Sequence, residues 1–128
     1  MKNHLRIKSE RWPEVTDVPD YIVEINYEGI SCVHGDIYFD DKEVLVSKLR
    51  ALENDRKGSV ELDGGVRFKI LAKAKTVGGI TLSFRHESDA TFPGKLVLEG
   101  YFSVDGENTA QVVEELIGLL TDGNKFAI

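Results

Sequence analysis

Cys32 and His34 stand two apart in a run of strand-forming residues, so both side chains leave the same face, as two ligands of one metal ion must. A structural zinc site takes four such donors, and His4 and His86 are isolated in sequence. The pair by itself therefore reads as a buried structural thiol and a sheet histidine, His86 likewise, and no metal or cofactor is expected. Gly29-Ile30-Ser31-Cys32-Val33 comes within one residue of a nucleophile elbow, but Val33 stands where the closing glycine is needed and strand residues follow it. Asp40-Asp41 and Glu114-Glu115 have the chemistry to divide acid and base roles. Such pairs more commonly complement a helix dipole or lie on a solvated helix face. Asp105-Gly106-Glu107-Asn108 lacks the further oxygen ligands of a calcium loop and reads as a turn and cap. With no nucleophile, base and orienter to name together, the chain is expected not to be an enzyme.

Charge is the stronger signal. The net charge is -6, and between Glu10 and Glu43 ten acidic residues face only Arg11 and Lys42. That region supplies the candidate partner-binding residues Asp17, Asp20, Glu24, Glu28 and Asp36, whose field would speed encounter with a basic protein. Against it stands one basic row, Arg67, Lys69, Lys73 and Lys75, joined by Arg85 and by Tyr101 as a stacking ring. Glu61, Asp63, Glu87 and Glu99 share that outward phase, so a mixed solvated face is expected and nucleic acid is not. Leu71 and Val97 interrupt the polar phase and mark a contact patch, through which a homodimer would form.

Positioning these residues falls to alternating strands. Val66, Phe68, Ile70, Ala72 and Ala74 alternate with a mainly basic row, Arg67, Lys69, Leu71, Lys73 and Lys75. Ile80, Leu82, Phe84 and His86 alternate with polar residues after a Gly78-Gly79 turn. Val60 and Leu62 form a short strand ending at Asp63-Gly64-Gly65, and Leu96, Leu98, Phe102 and Val104 share a phase with Gly100, where a side chain would be sterically unwelcome. Upstream, Leu5 and Ile7 mark a short opening strand, and Tyr21, Val23, Ile25 and Tyr27 face one way before a Glu28-Gly29 turn. In the returning arm the phase changes between His34 and Ile37, which a bulge at Gly35 reconciles. A helix is expected from Asp40, capped with Glu43, through Leu45, Leu49 and Leu52 to a stop at Gly58. A second is capped by Asn108 and Gln111, carries the stripe Val113, Leu116, Ile117 and Leu120, and stops at Gly123.

These elements predict an α+β fold in two layers, a mostly antiparallel sheet of about six or seven strands with two helices packed on one face. Residues 1–128 make one domain, with 9–20 an irregular acidic connection and 121–128 a C-terminal tail. The start Met1-Lys2-Asn3-His4 lacks an apolar signal region, and Leu116 to Leu120 is far too short to span a bilayer. One cysteine permits no internal disulfide, so a reduced, cytoplasmic setting with no membrane contact is expected.

Tyr21-Ile22-Val23-Glu24-Ile25, the Gly35-Asp36-Ile37-Tyr38-Phe39 strand with Leu49 and Leu52 after it, Gly78-Gly79-Ile80, and Leu96 to Asp105 before Val113 and Leu116 follow a recognisable order. In this the chain resembles the WapI-type bacterial immunity-protein family, small α+β proteins associated with wall-associated polymorphic toxins. The resemblance spans most of Tyr21 to Leu120 and rests on hydrophobic and turn patterns. It implies a cytoplasmic, non-enzymatic protein that neutralises a cognate toxin by binding it, and it transfers no individual site residue.

Overall fold

The computed structural model describes residues 2–11, 20–39, 41–88 and 96–128. Their order is β1 (His4–Arg11), β2 (Asp20–Tyr27), β3 (Ile30–Ile37), α1 (Lys42–Asp55), β4 (Ser59–Asp63), β5 (Phe68–Ala74), β6 (Ile80–Glu87), β7 (Val97–Val104), α2 (Gly106–Asp122) and β8 (Phe126–Ala127). The fold is α+β, and every strand pairing among the described residues is antiparallel. Among the described residues there are eight strands where the sequence shows six or seven, and they divide into two four-stranded sheets, β3-β2-β1-β8 and β4-β5-β6-β7. The division falls where α1 interrupts the run of hairpins. The extra strand is β8, two residues laid on β1 through Phe126 opposite Ile7. The segment 121–128 is therefore not a free tail: Phe126 is fully buried, and Leu5 and Ile128 exchange both main-chain hydrogen bonds at 2.9 Å.

Period-two alternation is realised most fully in β6, where buried and half-buried positions alternate over all eight residues. β1 runs on to Arg11 and β2 opens at Asp20, so both ends of the expected irregular connection belong to strands; residues 12–19 lie outside the described residues. Val66 leaves the expected row, because β5 begins only at Phe68 and Val66 stands in the preceding turn, 75% exposed. Glu28 and Gly29 both adopt left-handed backbone (φ 51° and 81°), the two-residue turn that matches the twist of β2 and β3. Tyr21 pairs with Ile37 but Val23 with His34, so β3 carries one extra residue opposite β2. The bulge lies at Gly35-Asp36 as the phase change requires. Its left-handed residue is Asp36 (φ 55°), and it returns Ile37 to the interior.

Both helices differ at their starts. α1 opens at Lys42 after Asp41 in left-handed backbone, with no side-chain cap; Asp40, the expected cap, lies outside the described residues. It ends earlier than Gly58, at a left-handed Arg56 whose N–H donates to Leu52 O at 2.9 Å. α2 begins at Gly106, two residues before the expected Asn108 cap, and Asp105 O accepts from the Asn108 N–H and the Thr109 hydroxyl. Gly123 closes it as expected (φ 71°). Its buried face is wider than one stripe and adds Val112 and Leu119, because α2 packs against α1 and against strands of both sheets. The Tyr21 hydroxyl donates to Leu119 O at 3.4 Å.

The sheets themselves meet through β2 and β3. The Tyr27 ring stands T-shaped to Phe84 (5.2 Å) and to Phe102 (5.9 Å), while Phe39 bridges Tyr21 (5.3 Å) to Phe68 (6.4 Å). A Cβ on Gly100 would lie 2.5 Å from Tyr27 Cζ and 2.8 Å from Phe84 Cζ, which is why this position takes no side chain. Among the described residues, no helix is long and apolar enough to cross a membrane.

Candidate functional site

The expected acidic surface does not hold together as one patch. Asp20 and Asp36 come together at the end of the first sheet, and Glu10 from β1 joins them, with carboxylate oxygens all within 4.8 Å of one another. Asp20, however, is 1% exposed, so a partner cannot touch it. Glu24 pairs in register with Arg6 on β1, and its Oε1 stands 3.7 Å from both Arg6 Nη1 and His4 Nε2. Glu28 sits at the far end of β2, where its carboxylate and main chain are both hydrogen bonded to the Asn3 side chain (3.1 and 2.8 Å). Asp17 lies outside the described residues. A charge sum along the chain misses this because antiparallel pairing sets the cations of β1 beside the acids of β2.

The outward face of the second sheet is organised differently. Neither helix covers it, and its register places Glu61, Leu71, Ser83 and Tyr101 in one row across β4 to β7, beside the row Asp63, Lys69, Arg85 and Glu99. Ser83 is the small residue of its row, and around it opens a shallow cavity of about 470 Å³ lined by Glu61, Lys69, Leu71, Arg85, Glu99 and Tyr101. Arg85 is clamped at its centre, 2.9 Å from Glu87 and 3.0 Å from Glu99. Hydrogen bonding to Glu87 first, then to Glu99, pushes the guanidinium pKa above its ordinary value. Tyr101 is 60% exposed. The Lys75 ammonium donates to Ser103 at 2.7 Å. This is the mixed face expected from the sequence, with Leu71 and Val97 on it. Arg67 does not belong there: it precedes β5, and its Nη1 lies 3.4 Å from His34 Nε2 at the junction of the sheets.

That junction gathers side chains the sequence leaves apart. Cys32 Sγ lies 3.7 Å from His86 Nδ1, although 54 residues separate the two in the chain. The His34 and His86 rings meet with centroids 5.3 Å apart and planes at 65°. His86 is 5% exposed, and Cys32 is half-buried. Burial pushes the Cys32 thiol pKa up, which lowers its thiolate fraction. The i, i+2 spacing signals Cys32 and His34, but nothing local points to His86; its place in the cluster follows only from the packing of β6 under β3.

No protein-family model, curated protein or solved structure matches the chain.

Proposed function

We propose that this chain is a non-enzymatic, cytoplasmic protein-binding module of the immunity type, which neutralises a cognate bacterial toxin by direct contact. The immunity part of this reading rests on the resemblance to the WapI-type family. The contact surface rests on one observation: the outward face of the β4–β7 sheet presents Tyr101, 60% exposed, beside Arg85 and Leu71 in an open cavity. Exposed tyrosine and arginine are among the residue types that dominate protein interfaces, Leu71 adds apolar surface, and the surrounding Glu61, Lys69 and Glu99 supply a polar rim. The acidic residues keep a different role. Glu28 and Asp36 steer a basic partner from a distance, while the sheet face holds it.

The test uses partners captured from the native lysate on the wild-type protein. Tyr101→Ala and Arg85→Ala should each weaken binding by about 2 kcal/mol or more, through faster dissociation. Glu28→Lys with Asp36→Lys should instead slow association and flatten its salt dependence. If Tyr101→Ala and Arg85→Ala bind as the wild type does, the face is not the contact surface. A second reading has its own support, since Leu71 and Val97 share this face and Val97 is 38% exposed. Self-association through it would appear in sedimentation velocity as a dimer lost on Leu71→Lys.

A further inference from the structure

We propose that Cys32, His34 and His86 form a binding site for a soft divalent transition-metal ion, zinc foremost, with Cys32 Sγ and His86 Nδ1 as its fixed donors and His34 Nε2 closing it. The donor set of one thiol and two imidazoles suits zinc and its chemical neighbours over calcium or magnesium, which take oxygen. Zinc–sulfur and zinc–nitrogen bonds of about 2.3 and 2.0–2.1 Å put sulfur and nitrogen about 3.5 Å apart across a tetrahedral ion. Cys32 Sγ and His86 Nδ1 already stand at 3.7 Å. The His34 ring stands beside that of His86, with centroids 5.3 Å apart. Two ligands from one strand at i and i+2, with a third from a strand packed beneath, make a three-donor site whose fourth position is left to water or to a ligand.

The third donor is not yet gathered in: among the described residues only Glu10, Asp20 and Asp36 bring their ligand atoms within 4.8 Å of one another, so the His34 nitrogens stand farther than that from Cys32 Sγ or His86 Nδ1. His34 Nε2 faces Arg67 Nη1 at 3.4 Å, so closing the site requires the half-buried His34 ring to exchange the exposed guanidinium for the ion. Arg67 therefore competes with the metal. On binding, the Cys32 thiol proton goes to solvent and a thiolate–metal bond takes its place. The site lies where the two sheets meet, so a bound ion would tie β3 to β6 across that junction.

Cobalt(II) titrated into the full-length reduced protein tests this directly, since a thiolate–cobalt bond gives a near-ultraviolet charge-transfer band and a tetrahedral site gives intense visible bands. One equivalent should develop both, and zinc should erase them at one to one. Cys32→Ser should abolish the charge-transfer band. His34→Gln should weaken binding by at least about tenfold, the loss that even removal of an outer-shell partner brings. Arg67→Gln should tighten it several-fold. His34 and Arg67 are not fully buried, so these two variants keep the test open should Cys32→Ser fail to fold, which circular dichroism of each variant would show. Absence of the charge-transfer band in the wild type, or its persistence in folded Cys32→Ser, overturns the site. Unchanged affinity in both His34→Gln and Arg67→Gln overturns the three-donor assignment.

Discussion

On the inner side of the second sheet, Phe68, Ile70, Ala72, Ile80 and Leu82 are wholly withdrawn from water; one residue along the same strands, Lys69, Lys73, Thr81 and Arg85 meet it. Strands, register and twist are shared, so only the surroundings differ. The inner side is closed by α1, α2 and the first sheet, and each side chain there is held by several neighbours. The outer side is held by pairs such as Arg85 with Glu87 and Glu99, or Lys69 with Glu61 at 3.9 Å. Burial of apolar area stabilises by kcal/mol per side chain, whereas exposed ion pairs contribute about 0–1 kcal/mol. The inner side therefore specifies the fold, and the outer side is open to selection for binding.

The sharpest way to break that contrast is Phe68→Ala, which removes a fully buried ring and should cost roughly 3 to 5 kcal/mol in urea unfolding. Tyr21 extends the contrast to the first sheet. Burial raises its phenol pKa from 10.0 to about 12, so the folded state holds the neutral form more tightly than the unfolded chain does. The stability this contributes is fully present below pH 10 and is lost as pH rises toward 12, by about 2 to 3 kcal/mol. Between those limits the wild type should lose that much more stability than Tyr21→Phe; equal losses would mean the hydroxyl is solvated. Gly100→Ala should cost about 1 to 3 kcal/mol, because the new methyl meets the Tyr27 and Phe84 rings, and less in a Tyr27→Leu background. Lys69→Ala, next door to Phe68, should change stability by about 0.5 kcal/mol or less. A loss at Lys69 comparable to that at Phe68 would erase the distinction between the two sides.

The same contrast explains what could be read in advance. Alternation is a local property, so the inner and outer phases of β2, β4, β5, β6 and β7 were legible residue by residue, except that Val66 and Leu96, assigned to inner rows, lie just outside β5 and β7 and are exposed; also legible were the bulge near Gly35, the left-handed stop at Gly123 and the forbidden side chain at Gly100. Partnerships were not. Whether Glu24 faces a partner or Arg6 depends on β1 lying beside β2, and whether His86 is an isolated histidine or the neighbour of Cys32 and His34 depends on one sheet packing over another. β8 escaped because two residues carry no period. The cap of α1 escaped because the backbone turns at Asp41 without using the side-chain bond that a capping pattern advertises. Strand phases thus follow from local alternation, while the candidate sites arise from long-range placement.

The hydroxyl of Tyr27 accepts from the Tyr101 N–H at 3.3 Å and donates to the Tyr101 carbonyl at 3.4 Å. β7 borders the second sheet, and Tyr101 sits midway along it with its main-chain groups turned away from β6. An arriving strand would need that donor and acceptor to continue its ladder, and finds both occupied by a phenol. The sheet is thereby discouraged from lengthening sideways into a neighbour, while its broad face, with the Tyr101 ring upon it, stays available to a partner that approaches flat.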